Sequence, residues 1–186
     1  MANEDEKYVL IEEAKYDNYF PLIRIYLDKT IDGPDKYREV FQKLQNSDDK
    51  TKIQFILNTP GGALNTTIQF VDLIKSTKAK TEAIIYKAMS AGSVIALCCD
   101  IVNPRPNCMM MIHTLQYGDG RIKDINKHDW RIKHYMDITH KLFSDVYRNF
   151  LTENEIKKVV HEGYEFWLNR NEIIERAKKA GKEVIE

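Results

Sequence analysis

The sequence predicts an α/β protein: a largely parallel sheet covered by helices, with one long helix reaching beyond the body. Three observations predict it. Short runs rich in strand-forming residues alternate with segments whose apolar residues recur at helical spacing, the pattern of strands joined by crossover helices. Glycine-rich or small-residue junctions stand where the strand runs end and the helical runs begin. Residues 123–150 contain neither Gly nor Pro.

Each element follows in order. Residues 22–27, Leu-Ile-Arg-Ile-Tyr-Leu, form a first strand. Asp32-Gly33-Pro34 gives a turn and a helix start, with Pro34 near the first helical position. Tyr37, Val40, Phe41 and Leu44 share one buried helical face, and residues 46–49 end that helix. Residues 53–57 form a second strand. Asn58-Thr59-Pro60-Gly61-Gly62 is a loop, and Leu64, Ile68, Val71 and Lys75, with Phe70 and Ile74 beside them, continue as a helix. Residues 83–86 are a third strand, and 90–98 are small and apolar enough for a buried helix. Residues 101–102 and 109–112 are short apolar runs separated by Pro104 and Pro106. Ile125, Ile132, Met136, Phe143, Val146 and Phe150 fall roughly on one face, so 123–150 reads as one helix of about 40 Å. That length suits a helix that protrudes and packs on something else. Thr152 caps a short helix through Val160, and a last helix over 171–182 ends at Gly181. Residues 1–19 show charge and tyrosines but little periodicity, and are expected to be a flexible or docking arm. Residues 20–186 form a single domain.

Composition bounds the function. The chain has 186 residues, with 28 Lys plus Arg against 28 Asp plus Glu and a formal net charge of +0. That balance argues against a general nucleic-acid binder and permits self-association. Cys98, Cys99 and Cys108 are an odd number without metal-ligand spacing, which suits buried thiols in a reducing compartment. His128, His134 and His140 are spaced so that they share no helical face, so no metal is expected. The acidic, polar N-terminus is no signal peptide, and no apolar run approaches the roughly 18–20 residues of a membrane span. A cytoplasmic protein without membrane contact is expected.

Three segments carry candidate chemistry. Gly61 and Gly62 lie between a buried strand and a helix, where peptide N–H groups suit a developing negative charge. The Gly and Lys spacing of a nucleotide-binding loop is absent. Ser90 lies among small residues where another strand feeds a helix. The logic is that of a nucleophile elbow without its Gly-x-Ser-x-Gly pattern. As a structural residue Ser90 would instead be an N-cap, and Ser93, one helical turn later, is the rival nucleophile. His113 ends the apolar run 109–112 and opens into a loop, a suitable place for a general base. Donors, nucleophile and base make the minimum set for acyl transfer.

In this order the motifs resemble the proteolytic subunit of the caseinolytic (Clp) serine proteases, and most of all its shorter, phage-associated branch. The resemblance runs from about Arg24 to Gly181. Arg24-Ile25-Tyr26-Leu27 followed by Ile31 looks like the family's first core strand. Asn58-Thr59-Pro60-Gly61-Gly62 is similar to its Asn-Ser-Pro-Gly-Gly loop, Ala88-Met89-Ser90-Ala91 to its nucleophile segment, and Asn107 through His113 to its Asn-x-x-x-Met-Ile-His segment. The resemblance implies the Clp protease/crotonase-like fold, a spiral of β-β-α units with a protruding handle helix at about 123–150. It implies that Ser90 is the nucleophile and His113 its base, with the N–H groups of Gly62 and Ala91 forming the oxyanion hole. Gly118 and Gly120 would lie in a substrate-lining segment next to the handle.

The family's third catalytic member is an Asp, and 161–167 contain none. Glu165, two residues before Trp167, is expected in its place, and a gapped alignment on Ile156 and Val159 gives Glu162 as the alternative. Lys87 or Tyr86 stands where the nucleophile segment usually begins with Gly. The implied partners are polypeptide substrates, a homo-oligomeric ring stacked on a second ring, and an ATP-dependent unfoldase. No cofactor is implied. The rival expectations are a catalytically silent ring subunit or scaffold and, more weakly, a crotonase-like enzyme acting on acyl-thioesters.

Overall fold

The computed structural model describes residues 8–16, 20–114, 116–117, 120–121 and 130–186. In chain order the strands are β1 (Leu10–Tyr16), β2 (Phe20–Leu27), β3 (Lys52–Thr59), β4 (Lys80–Met89), β5 (Ile101–Ile112), β6 (Gln116–Tyr117), β7 (Gly120–Arg121), β8 (Phe166–Leu168) and β9 (Glu183–Val184). The α-helices are α1 (Arg38–Asn46), α2 (Leu64–Ser76), α3 (Ala91–Cys98), α4 (Trp130–Val146), α5 (Glu153–Lys157) and α6 (Arg170–Lys179). Strands β2 to β5 are parallel neighbours in sequence order, joined through α1, α2 and α3. The antiparallel β1 closes one edge, while β8 (antiparallel) and β9 (parallel) both pair with β5.

Alternation along the strands makes the core. Ile53, Phe55, Leu57 and Thr59 of β3 are buried, and the residues between them are not. Phe55 meets Phe70 of α2 edge-on at 6.2 Å, and Phe70 meets Phe41 of α1 at 5.0 Å. Such edge-to-face contacts suit the ring quadrupoles. Helix α3 is buried on every side from Ala91 through Leu97, which is why it has no polar face to show in the sequence. The other side of the sheet carries the buried Glu82. Burial pushes its carboxyl up. Hydrogen bonds from Asn103 at 2.7 Å, Lys52 at 2.7 Å and Gln54 at 2.8 Å outweigh that and hold it below the ordinary range.

Several expectations change in detail. Part of the segment set apart as an arm is strand β1, paired along its length with β2. The two runs around Pro104 and Pro106 are one strand. Its register against β4 jumps from Ile85↔Pro104 to Lys87↔Met109, so the exposed Arg105, Pro106 and Asn107 are absorbed as extra residues. Proline tolerates such a place because it lacks a ladder N–H. The buried face of α2 centres on Thr67, Phe70, Val71 and Ile74, and Lys75 is exposed. The long helix is described as Trp130–Val146, with 123–129 and Gly118 outside the described residues. At its other end the chain leaves the helix after Val146. Asn149 adopts φ 66, a left-handed conformation that stops a helix and that Asn tolerates better than most residues. Among the described residues no helix is long and apolar enough to cross a membrane.

Candidate active site

Ser90 stands between β4 and α3 with φ 53 and ψ −118, one of two described non-glycine residues at positive φ. A Cβ is strained there, and such strain persists only where the surroundings fix it. They do so on both sides. The Ser90 N–H donates to the Met111 carbonyl of β5 at 2.8 Å. The Ser90 carbonyl accepts the N–H groups of Ser93 at 2.9 Å and Val94 at 3.3 Å, and the Ser93 hydroxyl at 2.7 Å. Ser90 occupies the N-cap position of α3, but its side chain makes no capping bond there. Ser93 is different: it is fully buried, and its hydroxyl also lies 2.7 Å from the Tyr147 hydroxyl.

The glycine pair is fitted to this turn. Gly61 has φ +96, and a Cβ on it would lie 2.6 Å from the Ser90 Cβ and 2.7 Å from the Met89 carbonyl oxygen. Gly62 has φ +152, and a Cβ there would overlap the Ile31 carbonyl. Ile31 grips the loop through its N–H to the Gly61 carbonyl at 2.8 Å and its carbonyl to the Ala63 N–H at 2.7 Å. That bridge leaves the Gly62 N–H unused. The Ala91 N–H opens helix α3, where the dipole favours an anion.

His113 follows the last residue of β5, and Glu165 precedes the first of β8. The antiparallel register pairs Met110 with Leu168, Met111 with Trp167 and Ile112 with Phe166. His113 and Glu165 are each the next residue beyond the Ile112–Phe166 pair. A Glu165 carboxylate oxygen also accepts the Trp167 indole N–H at 3.2 Å. Glu162 is exposed at the end of the π-turn Lys158–Glu162.

One cavity of about 730 Å³ gathers these residues: Gly61, Gly62, Ser90, Ala91, His113 and Glu165 all line it, and Glu162 does not. Its apolar wall includes Val94 of α3 with Leu142 and Phe143 of α4. Gly61, singled out with Gly62 for its place in the loop, carries the close approach to Ser90. One member of this arrangement was not singled out in the sequence. Tyr147 stood unremarked in the long helical segment, although it lies one turn after Phe143 and packs against it at 4.9 Å. Among the described residues no group of three or more His, Cys, Asp or Glu could hold a metal. Burial pushes the Cys98 thiol up to about 11 and the Cys99 thiol well above its ordinary value, so neither is a ready thiolate.

Comparison with known proteins bears on most of the chain. The family model described as Clp protease matches residues 15–175. An uncharacterized protein of Methanocaldococcus jannaschii is 35% identical over 89 residues, which is 47% of this chain. The chain spans 30% of that relative's length. Among solved structures, a ClpP1 variant from Listeria monocytogenes superposes with a TM-score of 0.63 at 21% identity, covering 88% of this chain and 91% of that one. The likeness extends to the fold.

Proposed function

This chain belongs to the Clp protease family, and from that premise we propose that it is a serine endopeptidase subunit that cleaves unfolded polypeptides. Ser90 attacks the peptide carbonyl, and His113 takes its proton and passes it to the leaving amine. Glu165 holds the imidazole in the tautomer that can accept that proton, and stabilises the imidazolium. The Gly62 and Ala91 N–H groups donate to the oxyanion, where loss of one donor typically lowers the rate about 10²–10³-fold. The observation that carries this reading is the convergence of all five residues on one cavity, around a serine held at φ 53.

The subunit works in a homo-oligomeric ring stacked on a second ring in the cytoplasm, with an ATP-dependent unfoldase delivering substrate. The +0 net charge permits close association of copies, and Trp130, 76% exposed at the start of α4, is apolar surface suited to a neighbouring subunit. A fluorophosphonate probe on the assembled protein, read by mass spectrometry, tests the site. An adduct on Ser90 that is lost in H113A supports the reading. A folded, assembled protein that carries no adduct, or carries it elsewhere, refutes it. The Glu165–Trp167 hydrogen bond favours one second reading, a catalytically silent ring subunit, because it draws on the carboxylate meant for His113. That reading expects no adduct and no peptide cleavage.

A further inference from the structure

Behind Ser90 lies a buried pair of hydroxyls that the acyl-transfer mechanism does not use. The Ser93 hydroxyl stands 2.7 Å from the Ser90 carbonyl oxygen and 2.7 Å from the Tyr147 hydroxyl. Its single proton settles the direction of both bonds. A carbonyl only accepts, so Ser93 spends its proton on Ser90 and must receive one from Tyr147. The chain therefore runs from the Tyr147 O–H to Ser93 and on to the Ser90 carbonyl. Burial pushes the Tyr147 phenol above its ordinary value, which keeps it a donor at any working pH. Tyr147 and Ser93 are 1% and 0% exposed, so water does not compete for these bonds.

The end of that chain matters because of peptide geometry. The Ser90 carbonyl and the Ala91 N–H belong to one planar peptide unit and point in opposite directions. Whatever fixes the carbonyl fixes the N–H. Three donors hold this carbonyl: the N–H groups of Ser93 and Val94, and the Ser93 hydroxyl. Donation to the carbonyl oxygen also polarises the peptide and strengthens its N–H as a donor. Tyr147 sits directly after α4, its N–H closing a last turn onto Phe143 at 2.9 Å. It thus ties the end of that helix to the turn that carries Ser90.

We propose that Tyr147, acting through Ser93, is a positioning residue that aims the Ala91 N–H at the oxyanion and couples the placement of α4 to the rate of acyl transfer. This rests on the proposed roles of Ser90 and Ala91. Tyr147→Phe is the primary variant, because it keeps the ring and leaves no buried donor without an acceptor. It should lower kcat for a peptide substrate about tenfold, less than outright loss of an oxyanion donor, with KM within about twofold. A peptide aldehyde, whose hemiacetal oxygen occupies the hole, should weaken by a similar factor. Ser93→Ala should match Tyr147→Phe, and the double variant should be no slower than Ser93→Ala. Hydrogen exchange of the Ser93 and Val94 amides should accelerate in Tyr147→Phe, whether or not the protein turns over substrate. Wild-type kcat and aldehyde affinity in Tyr147→Phe would overturn the proposal, as would unchanged exchange at those amides. Failure of the wild-type protein to label at Ser90 sinks the peptidase reading itself, and the exchange measurement then still decides whether Tyr147 holds the turn.

Discussion

Ser90 should be a position where function opposes stability, and two substitutions separate the effects. Ser90→Ala removes the hydroxyl and keeps the Cβ at φ 53 and ψ −118. Ser90→Gly removes both. A side chain held in such a region costs about 1–3 kcal/mol, and glycine gives back about 0.5–1 kcal/mol through its greater freedom in the unfolded chain. Because Ser90 is only half-buried, little packing is lost with the Cβ. The difference leaves Ser90→Gly more stable than Ser90→Ala by about 1 kcal/mol, or about 2–4 °C in Tm for a chain of this length. Urea and thermal unfolding at equal protein concentration measure it, since association shifts the apparent midpoint. Both variants should be inactive. If Ser90→Gly unfolds at or below the midpoint of Ser90→Ala, the turn is not strained and the elbow argument fails.

Three further outcomes are expected. Glu165→Gln should lower kcat by about 10²–10⁴, while Glu162→Gln stays within about threefold; equal effects in a peptide-hydrolysis assay would defeat the argument from the β5–β8 register. Gly61→Ala should slow fluorophosphonate labelling of Ser90 at least about tenfold and destabilise the fold by roughly 2 kcal/mol, because the new Cβ meets Ser90 and the backbone at a positive φ; wild-type labelling would contradict the close approach. Glu155 receives two hydrogen bonds from Arg176, at 2.8 and 3.0 Å, which hold its carboxyl down to about 2 from an ordinary 4.5. A carboxyl lowered in the folded state stabilises above its unfolded value and loses that contribution as pH falls through the folded one. Glu155→Gln should therefore be less stable than the parent at pH 7, and urea midpoints should converge as pH falls from about 4.5 toward 2; a gap that widens on acidification would reverse the sign.

What the sequence made legible follows from what each residue must do locally. Ile53, Phe55, Leu57 and Ala83 fill one face of a sheet buried by helices, and such runs announce themselves. The positions of Ser90 and His113 at strand ends were legible for the same reason, since each stands where an apolar strand run ends. Strand β1 was not, because Glu12, Glu13 and Ala14 are exposed in succession and leave no alternation to detect. Pro104 and Pro106 hid the continuity of β5, since the extra residues between paired segments show only in the register. The end of the long helix turned on a single left-handed Asn149 in a stretch without Gly or Pro. The proposed choice of Glu165 over Glu162 leans on the β5–β8 pairing that ends beside Glu165, a long-range contact that local spacing does not encode. Tyr147 and Ser93 meet across 54 positions and are equally silent in one dimension.

The parts of the site are anchored unequally, and the inequality has a direction. The turn at Ser90 is tied by a backbone bond to Met111 of β5, within the parallel sheet that forms the core, and the Gly61–Gly62 loop is tied by two backbone bonds to Ile31, just beyond β2. Glu165 directly precedes a strand held to β5 by three residue pairs, and Tyr147 directly follows α4, whose Leu142 and Phe143 also form the cavity wall. On the proposed mechanism, nucleophile and loop belong to the rigid half, while the orientation of the base and the aim of one oxyanion donor belong to the C-terminal third. Displacing α4 would therefore reach the chemistry twice, through the Tyr147–Ser93 hydroxyls and through the wall that seats the substrate. The Ser90 N–H would keep its bond to the Met111 carbonyl. A subunit built this way is tuned in rate by whatever α4 packs against, without rebuilding its nucleophile.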